Sequence, residues 1–362
     1  MTTLVCEARV RTERSSHVIA TLCEGFMQND AQATWSAMRG RAEFGFGAGI
    51  LEAGVGSVTL RAEAADEESL ARVKFLLATR FEECAKAEKP DIVWTGDGCD
   101  RTELLNFREM HVSRIVDITP HLRRITLTGQ DLGRFDSQNF HVKLLIPPAG
   151  QEPAWPVMGR NGLPIWPAGG RRPALRTYTI RRIDVTAGEL DIDFVTHEDA
   201  GPGAAFALQA KEKDIVGLMG PGGRGMAAAD WYCLVGDETG FPAIARMLEA
   251  MPVTARGVAL VEVRDASNEQ AILHPPGISL RFLHRNGAEP GTTTLLQDAV
   301  RAVEWPSSGS VYAWAGVEFE AFRAIRSYWR KEMQLDRSSH LAVAYWRRGF
   351  SEGDFKKAPA ED

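Results

Sequence analysis

The sequence lacks any apolar run long enough to cross a membrane. A spanning helix needs about 20 apolar residues, whereas the longest apolar stretches, such as Trp231–Gly236, have the length of a single strand. The first residues also lack the basic and apolar regions of a secretory signal, so we expect a soluble, cytoplasmic protein with no membrane span. The five cysteines form no Cys-x-x-Cys pair, which argues against a disulfide framework or a zinc site and favours reduced thiols.

Several catalytic signatures are missing as well. The 362 residues contain no Gly-x-Ser-x-Gly, no His-Glu-x-x-His and no Gly-Lys-Ser/Thr phosphate-binding motif, and the eight histidines are scattered. These absences argue against metal-dependent hydrolysis and acyl transfer. We therefore expect no metal site built by protein side chains.

Positive charge is in short supply, because 42 Lys and Arg residues stand against 48 Asp and Glu, a formal net charge of −6. Phosphate backbones are bound by concentrated basic surfaces, so we do not expect a nucleic-acid partner. Most of the imbalance lies in residues 1–105, which carry 12 basic and 17 acidic side chains. The remainder of the chain is nearly balanced, and the net charge therefore says little about a site located there.

The pattern along the chain predicts a multi-domain α+β and α/β protein. Residues 1–105 mix strand and helix periodicity and end after the turn-forming Gly96–Gly98, which predicts a small accessory α+β domain. Residues 106–225 contain short, regularly spaced strands typical of an antiparallel β-barrel. Residues 226–350 interleave strands and helices, which predicts a doubly wound parallel α/β domain with its ligand cleft at the carboxyl ends of the strands. The polar residues 351–362 are predicted to form a flexible tail.

Two stretches do not follow the regular pattern of the barrel. Pro147–Pro173 is rich in Pro, Gly and Trp and too long for an ordinary hairpin loop, so we interpret it as an exposed excursion and a candidate for function. Gly220–Gly225 fits the letters of the Gly-x-Gly-x-x-Gly fingerprint, but a strand-like segment follows where that fingerprint needs a helix. We interpret it as an interdomain loop.

The most specific local pattern is the strand segment Arg176–Arg181. Alternation along a strand places Arg176, Tyr178 and Ile180 on one face and Thr179 on the other. A guanidinium binds phosphate oxygens, a phenol packs along a ring, and a threonine hydroxyl bonds a ring nitrogen, which are the contacts that a flavin needs. The same pattern also fits an amphipathic edge strand with no ligand.

Three further segments are candidates for ligand binding. His197–Ala205 leads from a strand through a glycine turn into a helix, whose first N–H groups suit a diphosphate. Gly236–Pro242 follows the first α/β strand and opens a helix, the position of a ligand-facing loop. Tyr345–Gly349 places two aromatic rings and two arginines at a strand end, where they suit a flavin or nicotinamide ring and an anion. Each segment also has a purely structural interpretation, as a turn, a capped loop or a hydrophobic anchor.

Taken in order, these motifs resemble the siderophore-interacting protein family, flavin-dependent ferric reductases of the ferredoxin reductase-like superfamily. The resemblance runs from about Met110 to Gly349. It rests on His141–Leu144, Arg176–Thr179, His197 with Gly201 and Pro202, Gly236–Thr239, and Tyr345–Gly349. Residues 1–105 are similar to a small domain of unknown function that is sometimes fused ahead of such reductases.

The resemblance implies FAD as a cofactor, with NADH or NADPH as the electron donor. The residues that it implies for cofactor binding are Arg176, Tyr178, Thr179, Asp193, Val195, His197, Gly201, Pro202, Gly203, Ala204, Gly236, Asp237, Glu238, Thr239 and Trp346. Lys143, Arg347 and Arg348 are candidates, from charge and position, to attract an anionic ferric complex. No side chain is expected to act as acid, base or nucleophile, because the flavin carries the chemistry. The family usually has Ala-Ser where Gly203-Ala204 stand here, and Ala where Gly240 stands.

We therefore expect an NAD(P)H-dependent flavoprotein whose substrate is a ferric siderophore and whose product is iron(II), which hard oxygen ligands bind less well. Two alternatives stay open on the sequence alone. One is a flavin enzyme with a different acceptor, such as a quinone, free flavin or a protein. The other is a non-catalytic siderophore-binding protein with the same folds.

Overall fold

The computed structural model describes residues 2–28, 31–196 and 201–355, which divide into two compact units. The first unit runs to Phe107 and includes Ala154–Arg172; the second contains Arg108–Pro153 and the residues from Pro173 onward. Within the described ranges, no helix has the length and apolar character that crossing a membrane requires.

The first unit is an α+β domain, as predicted. Its elements, numbered by their place in the chain, are β1 (Leu4–Arg11), α1 (Ser15–Met27), β2 (Gln32–Trp35), β3 (Arg39–Glu43), β4 (Gly47–Gly54), β5 (Ser57–Ala64), α2 (Glu67–Cys84), β6 (Thr95–Gly96), β10 (Val157–Met158) and β11 (Pro164–Ile165). Six strands form an antiparallel sheet in the order β2-β3-β4-β5-β1-β6. Strand alternation buries Cys6, Ala8 and Val10 of β1 in one core with the apolar sides of α1 and α2.

The Pro-, Gly- and Trp-rich excursion is packed over much of residues 154–167, so our interpretation of it as an exposed loop is wrong there, whereas residues 168–172 are exposed as expected. The indole N–H of Trp94 donates to the Asn161 carbonyl at 3.0 Å, and the Asn161 amide donates to the Glu82 carboxylate of α2 at 3.0 Å. A buried indole N–H needs an acceptor, and the excursion supplies it. These residues therefore belong to the first unit.

The second unit begins with a closed antiparallel barrel, as predicted. Its elements are β7 (Phe107–Thr119), β8 (Leu122–Thr128), β9 (His141–Ile146), β12 (Ala174–Asp184), β13 (Glu189–Val195), α3 (Pro202–Gln209) and β14 (Ile215–Gly222). The strands close in the order β12-β13-β8-β7-β14-β9, and their inward side chains, among them Leu144, Ile180 and Ile192, fill the barrel core. Gly220–Gly222 complete β14, so only the remainder of the Gly220–Gly225 segment connects the barrel to the next domain.

A parallel, doubly wound sheet follows, which confirms the predicted α/β domain. Its elements are β15 (Trp231–Gly236), α4 (Phe241–Ala250), β16 (Arg256–Val263), β17 (Gly277–His284), α5 (Leu295–Arg301), β18 (Val311–Glu318), α6 (Phe319–Ser327), β19 (His340–Trp346) and α7 (Glu352–Phe355). The strand order is β17-β16-β15-β18-β19, and the chain reverses direction across the sheet between β15 and β18. Dinucleotides bind at this type of reversal, in the crevice beyond the carboxyl ends of the strands.

Two helical segments lie near the C-terminus. The helical stretch after β18 consists of α6 and a wider π-helical turn at Tyr328–Glu332. Part of the predicted tail is ordered into α7, where the ring of Phe355 packs edge-on against Phe319 with 5.5 Å between centroids. An aromatic contact of this kind holds α7 against the α/β domain.

Candidate functional site

Strand β12 presents the predicted flavin-binding residues beside β9. Tyr178 lies opposite Val142, and its ring packs on Phe194 of β13 with 4.4 Å between centroids. Burial raises the pKa of the Tyr178 phenol above its ordinary value, so the group is neutral at physiological pH and keeps its proton for donation. Thr179 is buried on the opposite face of the strand.

The first turn of α3 touches Tyr178 directly. A Cβ at position 203 would lie only 2.1 Å from the Tyr178 hydroxyl oxygen, so the departure from the family at Gly203 has a steric reason. Gly201 caps the helix without a side chain and Pro202 has no N–H, which leaves the amides of Gly203 and Ala204 as the first donors of the turn. Donor amides at a helix N-terminus beside a phenol are suited to an anionic ligand with a ring.

A carboxylate from the C-terminal turn meets the cations of the barrel. Glu352 accepts from the Thr177 hydroxyl at 2.8 Å and from the Thr177 N–H at 3.2 Å. Its oxygens lie 3.8 Å from Lys143 Nζ and 4.0 Å from Arg176 Nε, and Lys143 also donates to the Thr177 hydroxyl. Glu352 therefore occupies the position where we predicted an anionic group of a ligand. Sequence reasoning missed it because it falls in the segment predicted as a tail.

In the neighbouring strand β13, the predicted cofactor-binding residue Asp193 is paired with an arginine of β8. Both carboxylate oxygens of Asp193 accept from Arg124, at 2.7 and 2.8 Å, and the Asp193 side chain is only 1% exposed. Its charge is thus neutralised across the β8–β13 ladder, while Val195 is half-buried at the end of the strand. His197 lies outside the described residues.

In the α/β domain, Asp237 organises the loop that follows β15. One oxygen accepts from the Thr239 N–H at 2.8 Å, the Thr239 hydroxyl at 2.5 Å and the Gly240 N–H at 3.3 Å. The other accepts from the Glu318 N–H at 3.0 Å and the Trp346 indole at 2.8 Å. Burial raises the pKa of the Asp237 carboxyl, and the hydrogen bonds from Thr239 and Trp346 oppose that rise. Asp237 therefore positions the loop and the end of β19 together.

Three residues that the sequence analysis did not select line the crevice beside Glu238: Glu262, Arg285 and Thr293. Glu238 binds the buried Arg285 at 2.8 Å, and Arg285 also lies 3.4 Å from Glu262. Thr293 donates to Glu262 at 2.8 Å, while burial raises the pKa of Glu262. Charge balance at the carboxyl end of β16 thus depends on an arginine that no local motif marks.

Small residues let the β15–α4 loop approach its neighbours. A Cβ at position 240 would lie 2.1 Å from the Gly316 carbonyl oxygen, and one at position 236 would lie 2.7 Å from Ile244 Cδ1. Gly240 is thus required by the contact with β18, which explains the departure from the family at this position.

Tyr345 joins the barrel to the α/β domain. Its hydroxyl lies 2.5 Å from Nε2 of His141 on β9 and is hydrogen-bonded to the Thr179 hydroxyl on β12. Ala344 pairs with Val317 and Trp346 pairs with Glu318, so Tyr345 is an extra residue in β19. A bulge of this type changes the direction of a side chain, and the side chain at this bulge, Tyr345, is the one that bonds to the barrel. Tyr345 and His141 stand inside motifs that we noted, but their mutual bond needs the tertiary structure.

The two C-terminal arginines have different surroundings. The Arg347 guanidinium lies over the rings of Phe319 and Phe350, 4.3 and 4.5 Å from their centroids. Arg348 has an exposed side chain, and its backbone N–H donates to Glu318 at 3.1 Å. Arg348 therefore presents its charge to solvent, whereas Arg347 is stacked. Their role in attracting a ferric complex stays a prediction.

The donor set suits FAD. Arg176 supplies a cation for phosphate, α3 supplies open amides, Tyr178 supplies a neutral phenol, and Thr179 supplies a hydroxyl on the other face of β12. Across the described residues, no group of three or more His, Cys, Asp or Glu is placed to hold a metal ion. A closed barrel followed by a parallel nucleotide-binding sheet, with these groups where the two meet, defines a flavin- and nicotinamide-dependent reductase.

The chain belongs to the siderophore-interacting protein family. Residues 229–349 match the family described as "Siderophore-interacting protein", and residues 111–225 match the "Siderophore-interacting FAD-binding domain". Residues 7–95 match a family described as "Uncharacterized protein conserved in bacteria". The resemblance proposed from the motifs is thereby confirmed.

Relatives with reductase names are similar over the second and larger part of the chain. The ferric vibriobactin reductase ViuB of Vibrio cholerae is 35% identical over 257 residues, 69% of this chain and 90% of the relative. The NADPH-dependent ferric-chelate reductase of Escherichia coli is 32% identical over 249 residues, 67% of this chain and 93% of the relative. The crystal structure of the siderophore-interacting protein SipS from Aeromonas hydrophila is 34% identical, with a TM-score of 0.60 over 70% of this chain and 96% of that one.

Proposed function

We propose that this protein is an NAD(P)H-dependent flavoprotein that reduces ferric siderophore complexes and so releases iron(II). The relatives named as ferric vibriobactin and ferric-chelate reductases support this substrate class. The observation that carries the proposal is the junction at Tyr345, where the FAD-type strand β12 and the loop after β15 are held within one unit. Two cofactor sites that exchange a hydride have to lie side by side in this way.

The residues of the chain bind and orient, and none of them acts as a nucleophile. Arg176 and the first turn of α3 would hold the diphosphate of FAD, with Tyr178 and Thr179 beside its ring. The loop that Asp237 organises would receive the nicotinamide end of the donor. When bound, FAD converts the two-electron donation of NAD(P)H into single-electron reduction of iron.

Reduction releases the metal because iron(II) binds hard oxygen ligands more weakly than iron(III) does. Lys143 and Arg348 are the cations that we assign to attract an anionic ferric complex, since Arg347 is stacked between rings. A cytoplasmic location is part of the same proposal, and the five cysteines, all free thiols in the structure, agree with a reducing compartment.

The test is a visible spectrum of the purified protein with FAD, taken before and after anaerobic addition of NADH or NADPH. Ferric catecholate and hydroxamate complexes are then added, and an iron(II) chelator reports the product. We expect a flavin spectrum, bleaching by a reduced nicotinamide and formation of the iron(II) chelate. A protein that binds no flavin, or a bound flavin that neither nucleotide bleaches, would refute the proposal. Bleaching followed by reoxidation with a quinone but not with any ferric complex would move the function to another acceptor.

A further inference from the structure

The proposed reaction leaves a proton behind, and this inference rests on that proposed function. NAD(P)H donates a hydride, which carries two electrons and one proton. Two iron(III) ions each take one electron and no proton, so NAD(P)H + 2 Fe(III) gives NAD(P)⁺ + H⁺ + 2 Fe(II). One proton per turnover must therefore leave a site that closes between the barrel and the α/β domain.

Three hydrogen-bonding side chains lie in sequence beside the flavin-type strand. The hydroxyl of Thr179, which is buried on β12, bonds to the hydroxyl of Tyr345. The same Tyr345 hydroxyl lies 2.5 Å from Nε2 of His141, which stands directly opposite Thr179 in the β9–β12 ladder. Hydroxyl and imidazole groups both accept and donate protons, so such a chain conducts a proton without a change in charge.

The second ring nitrogen of His141 lies beside the exposed turn at the end of β14. A Cβ at position 223 would lie 2.6 Å from Nδ1 of His141, so this nitrogen faces the backbone of Gly223. Gly222 and Gly223 are both exposed. Position 223 has no side chain, so none stands between Nδ1 and the exposed backbone of this turn.

We propose that Thr179, Tyr345 and His141 form the path by which the reaction's proton reaches solvent at the Gly222–Gly223 turn. The Tyr345 O–H gives its proton to Nε2 of His141 as it accepts one through Thr179. The N–H at Nδ1 of His141 passes its proton to water beside Gly223. Each group ends with the number of protons that it had at the start.

The charges around the path keep both of its inner groups neutral. Burial, together with the nearby cations Lys143 and Arg246, lowers the pKa of His141 to about 4. Burial raises the pKa of Tyr345 above its ordinary value. A neutral imidazole has one bare and one protonated nitrogen, which is the state that a relay requires.

The first test separates the two half-reactions in stopped-flow experiments on the FAD-loaded protein. Tyr345→Phe removes the hydroxyl but keeps the ring that packs edge-on against His141 and Trp314. We expect reoxidation by a ferric complex to slow by at least about 10-fold more than reduction by NAD(P)H does, because acid–base groups contribute factors of this size or more. The solvent deuterium isotope effect on reoxidation should change as well. Equal slowing of both half-reactions, or none, would overturn the proposal.

The matched control removes another buried tyrosine hydroxyl from the same unit. Tyr232 lies in the α/β domain, where its hydroxyl accepts from the Ala229 N–H at 2.9 Å. Tyr232→Phe should leave the ratio of the two half-reaction rates unchanged. If Tyr232→Phe shifts that ratio as much as Tyr345→Phe does, the effect comes from loss of domain stability and the proposed path is overturned.

The second test needs neither cofactor nor iron, so its result is independent of the proposed function. Nitrogen NMR of the imidazoles in the FAD-free chain, assigned with His141→Gln, should show a neutral His141 from pH 8 down to about 5. Tyr345→Phe should shift the Nε2 resonance. A charged imidazole at pH 7, or an Nε2 resonance that ignores Tyr345→Phe, would overturn the path even in an active reductase. An inactive wild-type protein with the expected resonances would instead refute the proposed function.

Discussion

Removing the charge of Glu352 is expected to tighten FAD binding. The carboxylate lies 4.0 Å from Arg176, the cation predicted to bind the FAD phosphate, and 3.8 Å from the neighbouring Lys143. Two unit charges about 4 Å apart attract each other by about 1 kcal/mol in water, and measured surface ion pairs contribute about 0.2–1 kcal/mol each. Displacing both pairs of Glu352 therefore costs about 0.5–2 kcal/mol. Glu352→Gln keeps an acceptor for Thr177 and removes this cost, which predicts about 2- to 30-fold tighter binding. Quenching of flavin fluorescence on titration with the FAD-free protein measures it.

The control for this prediction is Glu320→Gln, which removes an exposed carboxylate of α6 that lies 3.7 Å from Arg323. Its effect on FAD binding should be less than about 2-fold, since the Glu320–Arg323 pair involves none of Thr177, Lys143 and Arg176. Added salt should reduce the gain from Glu352→Gln, because charge pairs that are partly open to solvent are screened. Unchanged or weaker FAD binding by Glu352→Gln at low salt would refute the reasoning.

Three further predictions concern the loop, the junction and the substrate. Asp237→Asn should lower the free energy of unfolding by about 2–4 kcal/mol in urea titrations, because an amide facing the Glu318 N–H and the Trp346 indole leaves two donors without an acceptor. The FAD-free protein should lose about 3 kcal/mol of stability as pH falls from 6.5 to about 4, since the unfolded chain takes up the proton on His141 first; His141→Gln should lack this component. Arg348→Gln should raise the apparent KM for an anionic ferric complex and spare kcat, and an unchanged KM would remove Arg348 from substrate binding.

Local patterns were sufficient to predict the architecture. Strand alternation in β12 put Ile180 and Thr179 on opposite faces, and in the structure Ile180 lies in the barrel core while the Thr179 hydroxyl bonds Tyr345. The interleaved strands and helices after Gly225 likewise predicted the parallel sheet and its crevice. Periodicity succeeds here because each element buries one face. Apolar residues therefore recur at every second position in strands and at every third or fourth position in helices.

Contacts between distant segments could not be predicted in this way. Glu352 and Thr177 are 175 residues apart, and Trp94 meets Asn161 from 67 residues away. Nothing in the polar sequence around Glu352 distinguishes a carboxylate that binds cations from one that is merely solvated. Such pairs form only when distant elements approach each other in the folded chain. No local sequence pattern reports that approach.

The end of β19 shows why the site is a property of the whole second unit. Tyr345 and Trp346 are consecutive, yet one bonds His141 of the barrel and the other bonds Asp237 of the nicotinamide-type loop. Successive residues of a regular strand point to opposite faces, and the bulge at Tyr345 adds the extra residue that accompanies this pair of contacts. A displacement of either residue therefore moves the other through one peptide unit. Two adjacent side chains therefore constrain the separation between β12 and the loop after β15, so the proposed hydride transfer and the proposed proton path depend on the same bulge.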